Sequence, residues 1–432
     1  MNWKRKVMAG STLPDATRAA YEAALQSVMT SRPASELPAR RIDLDSFFES
    51  GFPGKVLEDW RYTDLSNLAA NGYSLAPDSP APDVSAWRIE GTLLLVFVNG
   101  RFRAEASDAI PKALLCRNSG LIGTEDSRDD GVARLNAALA QDGAVIYLEP
   151  GAGLATPLHI LSITNPGAET AMSHLAHTLE FGAGATGTVI FEDATTGDAA
   201  HFQTQRVQVR LQDGARLELI RVQGHGLGVQ AVSRWDAHLG RDAHLNWVNL
   251  DAGGALVRND LCANLAAPGA SLSLSGVCVA SGTAHVDNHT RIDHSAPHGT
   301  SRQLYRGIAT DRARGIFNGK VVVHPHARRS DSDLQIANLL LSPQAEINAK
   351  PELQIDNDDV KCAHGSTCGQ LDEQALHYLR SRGLPLEAAR QILLYAFAHE
   401  ILRPIRFAPA RERLSQRLLA RFPGELPVLP PS

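Results

Sequence analysis

The sequence predicts a mainly β protein: a solenoid of stacked coils, preceded by a mixed helical segment and followed by helices. Three observations carry that reading. From about Ala144, short runs of alternating apolar and polar residues recur between Gly, Asp, Asn and Pro, the pattern of half-buried strands. A tight-turn dipeptide precedes such runs repeatedly: Gly184-Ala185 before "TGTVIF", Gly214-Ala215 before "RLELIRV", Asp242-Ala243 before "HLNWVNL" and Gly269-Ala270 before "SLSLSGV", at intervals of 30, 28 and 27 residues. After Gly369 the apolar spacing changes to that of helices. A strand-only repeat of this length cannot bury its apolar face alone and does so on the next coil. A β-sandwich with evenly spaced strands meets the same spacing, so periodicity leaves both architectures open. In the solenoid reading Val189, Leu217, Leu219, Leu245, Trp247, Leu272 and Leu274 point inward, and no helix of three or more turns interrupts 144–370.

The first helix is expected over Pro14–Thr30, with Pro14 and Asp15 in its first turn and Tyr21, Leu25, Val28 and Met29 at helical spacing. Pro33 and Pro38 are read as ending it. The run "TLLLVFV" reads as a strand, and Asn99-Gly100 after it as a hairpin turn. At the other end, Asp372 to Ser381 reads as a helix stopped by Gly383. "PLEAARQILLYAFAHEIL" and "PARERLSQRLLARF" read as two more. These helices hold more apolar residues than one stripe needs, so a partner surface is expected on a small helical appendage. The expected domains are a helical or mixed 1–140, a solenoid 141–370 and a helical 371–432.

Composition narrows the function. The chain has 432 residues, 44% hydrophobic and 21% charged, with a net charge of −5, typical of a globular protein and without the basic field of a nucleic-acid binder. No apolar run approaches the roughly 18–20 residues of a membrane span. "MNWKRKVMAGSTLPD" has no apolar stretch behind its charges, so no secretory signal is expected. Five cysteines is a low, odd count that suits reduced thiols in the cytoplasm.

Three clusters of chemistry-bearing residues stand out. In "VKCAHGSTCGQLD", Cys362 and His364 are two residues apart, so a strand puts both on one face. A thiolate beside an imidazole suits a soft metal or an iron–sulfur cluster, a Cys–His nucleophile pair, or simply a buried Cys beside a hydrogen-bonded His. Cys368 is a further candidate ligand, beyond Gly365. In "AHVDNHTRIDHSAPH", His285, His289, His294 and His298 accompany Asp287 and Asp293; imidazole with carboxylate suits zinc or iron, but on a strand His289, Arg291 and Asp293 share one face and His294 takes the other, so not all converge and a hydrogen-bonded polar ladder suits them better. In "ELQIDNDDV", Asp356, Asp358 and Asp359 offer paired carboxylates, with Asp356 and Asp358 on one face of a strand. They suggest, as an alternative, a β-solenoid carbohydrate-active enzyme; Gly224-His225-Gly226 precedes them by about 130 residues and is read as coincidence. No P-loop, dinucleotide fingerprint or serine-hydrolase elbow is present.

Several segments together resemble the SufB/SufD family, scaffold proteins of SUF iron–sulfur cluster assembly. They are "EDWRYTDL" (58–65), "FVNGRF" (97–102), "SRQLYRGI" (301–308), "GIFNGKVVV" (315–323), "NLLLSPQAEINAKPELQIDNDDVKCAHGSTCGQLD" (338–372) and "ALHYLRSRGL" (375–384). His364-Gly365 replaces the His-Glu of the SufB branch, so the chain is more similar to the SufD branch. The resemblance implies a right-handed parallel β-helix between N-terminal and C-terminal helical domains. It implies a non-enzymatic, cytoplasmic scaffold in a complex with a SufB-like paralogue, met through the β-helices, and two copies of the SufC-type ABC ATPase, docked on the C-terminal helices. Cys362 and His364 are then ligands of a transient iron–sulfur cluster, or of iron, shared with the paralogue. A flavin is implied only for the assembled complex, and a homodimer for the isolated chain. Cys368 and the histidine-rich segment receive no role from the resemblance.

Overall fold

The computed structural model describes residues 13–109, 131–165, 167, 170–197 and 199–422. Two parallel sheets face each other and the chain alternates between them. The first sheet contains β1 (Ser74–Leu75), β4 (Val145–Leu148), β6 (Ala171–Phe181), β8 (His201–Leu211), β10 (Val229–Leu239), β12 (Leu256–Leu265), β14 (His285–His294), β16 (Arg314–Val323) and β18 (Glu346–Ile355). The second contains β2 (Leu93–Val98), β3 (Arg101–Phe102), β5 (Leu158–Thr164), β7 (Thr186–Thr195), β9 (Arg216–Gly224), β11 (His244–Asp251), β13 (Ser271–Ala280), β15 (Thr300–Ala309), β17 (Asp331–Leu340) and β19 (Lys361–Gly369). From β6 to β17 each strand pairs in parallel with the strands two before and two after it in the chain. That is a solenoid of about seven turns; a sandwich would instead join antiparallel strands by Greek-key connections. Among the described residues the one antiparallel pair is the β2–β3 hairpin, turned by Asn99 and Gly100, both at positive φ.

In-register stacking builds the core. Leu217, Leu245 and Leu272 are ladder partners, as are Val189, Leu219, Trp247 and Leu274, and all seven are buried in one interior cluster. The turns stack too. Gly184, Gly214, Asp242 and Gly269 all have φ between 52° and 75°, the left-handed region where Gly and Asp are tolerated. Each N–H donates to a carbonyl of the next turn: Gly184 to Asp213, Gly214 to Arg241, Asp242 to Pro268 and Gly269 to Pro297. The stack continues through His298 (φ 62°) and Arg329 (φ 56°), which donate to Arg328 and Asp359. These two coils escaped sequence detection because their left-handed residue is not Gly or Asp.

Helices cover both outer faces. α1 (Asp15–Met29), α2 (Leu37–Ser50) and α3 (Gly131–Leu139) pack on the first sheet around Tyr21, Phe47, Phe52 and Leu135, against Met172, Phe202 and Val232. The α2 helix was missed because Pro38 was read as a terminator; it sits in the first turn of a new helix, where its absent N–H costs nothing. α4 (Glu373–Ser381), α5 (Leu386–His399) and α6 (Ala408–Leu419) follow the last strand, with Asp372 capping α4 through Gln374 N–H at 2.8 Å. They are not an appendage. Leu394, Ala398, Ile401, Leu402, Leu414 and Leu418 form one core with Ile190, Ile220, Val248, Val277 and Ile308 of the second sheet. Asn246 Nδ2 donates to Pro404 O at 3.0 Å, and Glu218 Oε1 accepts from Arg406 N–H at 2.7 Å. The surplus apolar surface expected to await a partner is therefore consumed within the chain.

The two ends of the solenoid differ. At the last coil β18 and β19 are paired on one side only. Ile347, Ala349, Leu353 and Ile355 continue the inward columns of Gly315, Phe317, Val321 and Val323, but no further coil covers them, and Ile355 is 43% exposed.

Leu245→Ala should destabilise the chain by about 2–5 kcal/mol through lost burial and a cavity, read as a lower urea midpoint with unchanged slope. Ending the chain at Gly369 should expose the outer face of the second sheet and leave the solenoid aggregation-prone; a monodisperse, cooperatively melting product of that truncation would contradict the packing described.

Candidate functional site

The open last coil carries the cysteine–histidine motif. β19 pairs with β17 so that Cys362 lies beside Ser332, His364 beside Leu334 and Cys368 beside Asn338. Ser332, Leu334 and Asn338 are buried inside the solenoid, so all three β19 side chains occupy inward positions of a coil that nothing covers. Cys362 is half-buried against Val321, Val323, Ala327, Leu353 and Val360. Burial pushes its thiol above the usual range, and the Ser332 backbone N–H partly opposes that. His364 and Cys368 are exposed. Two residues of strand put Cys362 and His364 roughly 7 Å apart along one face, within reach of one shared metal or cluster, while Cys368 is roughly 20 Å from Cys362. Among the described residues, no group of three or more His, Cys, Asp or Glu side chains is placed to hold a metal ion. The pair offers two ligands where an iron–sulfur cluster usually takes four.

The histidine-rich segment is divided by the alternation of β14. His285, Asp287 and His289 project from the outer face, while His294 points inside. The outward group receives the "EDWRYTDL" segment of the N-terminal region. Thr63 Oγ1 lies 2.8 Å from His285 Nε2 and also donates to Asp287. Arg258 donates to Asp287 at 2.8 Å, to Asp260 at 2.8 Å and to the Asp59 carbonyl at 2.9 Å, with Trp60 stacked 4.4 Å from its guanidinium. His289 Nε2 lies 3.0 Å from Asp287 Oδ1. Burial opposes ionisation of Asp287, yet Arg258, His289 and the Thr63 hydroxyl hold its carboxyl well below the usual range. Sequence reasoning singled out the histidines but missed Thr63 and Trp60, which lie more than 200 residues away in the chain, and Arg258, one coil earlier on β12, none of which gives a local signal. His294 Nε2 lies 2.8 Å from Ser301 Oγ inside the solenoid, where burial pushes its imidazole down to about 4. His298 holds the left-handed turn position described above. The four histidines do not converge.

The acidic cluster is not on a strand. β18 ends at Ile355, and Asp356, Asp358 and Asp359 sit exposed on the turn before β19. The Asp359 carboxylate lies 3.8 Å from Arg328 and 3.9 Å from Arg329. A solvated turn lacks the split environments that separate an acid from a nucleophile in glycoside hydrolysis. His225 is buried, its Nδ1 3.4 Å from Thr195. None of the four described cysteines, Cys262, Cys278, Cys362 and Cys368, forms a disulfide; Cys116 lies outside the described residues, as do residues 1–12 of the segment read for a secretory signal. No helix among the described residues is long and apolar enough to cross a membrane.

Comparison with known proteins adds to this geometry. A family model described as the SufBD core domain of SUF-system iron–sulfur cluster assembly matches residues 163–397. The iron–sulfur cluster assembly protein SufD of Escherichia coli is 31% identical over 398 residues, spanning 90% of this chain and 93% of that one. A SufBD family iron–sulfur cluster assembly protein of Synechocystis is 29% identical, spanning 85% and 87%. SufD of Bacillus subtilis is 26% identical, spanning 65% and 64%.

Asp287→Ala should cost on the order of 3–5 kcal/mol, because it strands buried Arg258 without one of its carboxylates. The folded carboxyl is depressed, so its contribution is complete above the unfolded value near pH 4 and is lost as the pH falls further. Chemical denaturation of both proteins between pH 7 and pH 3 checks this: the wild-type advantage should shrink below about pH 4.

Proposed function

The chain belongs to the SufB/SufD family of iron–sulfur cluster assembly proteins, and from that premise we propose that it is a non-enzymatic scaffold whose open solenoid end supplies half of a cluster-building site. The observation that carries this reading is the uncovered last coil. It combines two unpaired parallel strand edges, an apolar column of Ile347, Ala349, Leu353 and Ile355, and the inward-pointing Cys362 and His364. An edge of this length is a template for further strands. A SufB-like paralogue that extends or abuts both sheets there would cover the apolar column and bring its own ligands to the two offered here. The nascent cluster, or iron alone, is cargo at that junction. His364, exposed and uncommitted to packing, suits a transient ligand. Cys362 suits a thiolate that forms when metal displaces its proton.

A SufC-type ATPase would supply the energy, since the sequence shows no nucleotide motif. Its docking place on this reading is the solvent side of α4 and α5. Tyr378 is 58% exposed there and carries Arg382 stacked 5.3 Å from its ring, residue types that anchor interfaces. Free thiols fit a reducing cytoplasm. A flavin belongs on this reading to the assembled complex, and the isolated chain would cover its open end with a second copy.

His364→Ala should change the stability of the isolated chain by no more than about 1 kcal/mol, as for a surface substitution, while the iron and sulfide content of the complex co-expressed with the paralogue and the ATPase falls strongly. Cys362→Ala should lower cluster yield as well and cost more stability, because its side chain packs on Val321 and Val323. Intact cluster content in both variants would remove the ligand role; unfolding of His364→Ala would make it a core residue instead.

A further inference from the structure

We propose that the outer face of the first sheet holds a binding groove for a phosphate oxyanion carried by a small phosphorylated molecule, centred on Arg206. The groove has a volume of about 770 Å³, within the range of small-molecule sites. Its wall is built by outward positions of successive strands. Arg206 and Arg210 come from β8, His238 from β10, Cys262 from β12 and Arg291 from β14, with His324 at the rim.

The charges in this groove are unequally matched. Asp236 accepts from Arg234 through Nε and Nη2, both at 3.0 Å. Asp293 accepts from Arg291 at 2.8 and 2.9 Å and faces His324 at 3.2 Å. Arg206 is treated differently. It is only 4% exposed, and neither its Nε nor its Nη1 has a hydrogen-bond partner. The carboxylate paired with it is Asp236, 3.9 Å away and already held by Arg234. The ladder also sets Arg206 directly beside Arg234, so two guanidiniums stand one strand spacing apart. Burying a cation without hydrogen-bonding its donors is costly in principle; Asp43 of α2 offsets this in part and Arg134 of α3 adds to it. An oxyanion in the groove offsets the paired guanidiniums and offers those donors an acceptor, with the positive charge of Arg210 four residues along β8 and of Arg291 three strands across on the far side. Phosphate suits guanidinium donors in number and geometry. The groove exceeds the size of the bare anion, leaving room for an organic group among His238, Asn264 and Ser295.

The test uses the full chain and its Arg206→Met variant, with inorganic phosphate and adenosine monophosphate as probes and matched chloride as the ionic-strength control. In calorimetry both probes should bind the wild type saturably at one site, adenosine monophosphate more tightly, and Arg206→Met should weaken binding at least tenfold. In phosphate-free buffer the variant should melt no lower than the wild type, because an uncompensated buried charge has been removed. Either probe should raise the wild-type melting temperature and leave that of the variant nearly unchanged. Equal affinity for the two probes would assign the site to free phosphate. The proposal is overturned if neither probe binds saturably, if both proteins bind alike, or if Arg206→Met melts lower in phosphate-free buffer, which would make Arg206 a structural support.

Discussion

In-register parallel stacking governs this molecule. Each strand receives its hydrogen bonds and its apolar contacts from the coil before and the coil after, so each coil is stable only because it has two neighbours. At the start of the solenoid that demand is met by β2, β4 and the N-terminal helices. At the finish it is not met. The same rule that orders the interior from Val189 to Leu334 therefore leaves β18 and β19 incomplete, and the cysteine–histidine pair sits on the incomplete coil.

The outer faces obey a different logic. A sheet buried on both sides needs apolar residues on both, and β9 supplies them, with Leu217 and Leu219 inward and Ile220 and Val222 outward against the C-terminal helices. The first sheet mixes modes. Part of its outer face is apolar under the N-terminal helices, and part is polar, where Arg258 and Asp287 receive Trp60 and Thr63. That polar contact is individually costly to desolvate, but nearly every donor on Arg258 has a partner, which is the condition under which a buried charge is tolerated.

Much of the fold was legible because solenoids repeat. The Gly-Ala and Asp-Ala turns and the inward leucines declared themselves through a local period, and the hairpin at Asn99-Gly100 through turn chemistry alone. The pairing of Cys362 and His364 on one strand face was legible from their spacing, and β19 has that alternation. What stayed hidden depends on partners distant in sequence. Pro38 opens a helix rather than closing one, a choice fixed by what Phe47 packs against. The apolar surplus of α5 looked like a partner surface because the second sheet it covers is assembled from strands up to 200 residues earlier. Alternation along β14 does separate His294 from His289, but spacing does not say which face meets Thr63 and which meets Ser301. Asp356 and Asp358 looked like a strand pair because the end of β18 leaves no mark in composition.

The return of the C-terminal helices along the second sheet has a geometric consequence. Arg417 of α6 reaches Glu192 on β7, while the cysteine–histidine pair lies on β19. Six ladder steps separate those strands, roughly 29 Å along the solenoid axis, spanned by hydrogen bonds that all run along that axis. The C-terminal helices lie along that same axis, against Ile190 of β7 at one end and Leu339 of β17 at the other, so they span the second sheet from its early coils almost to the open end.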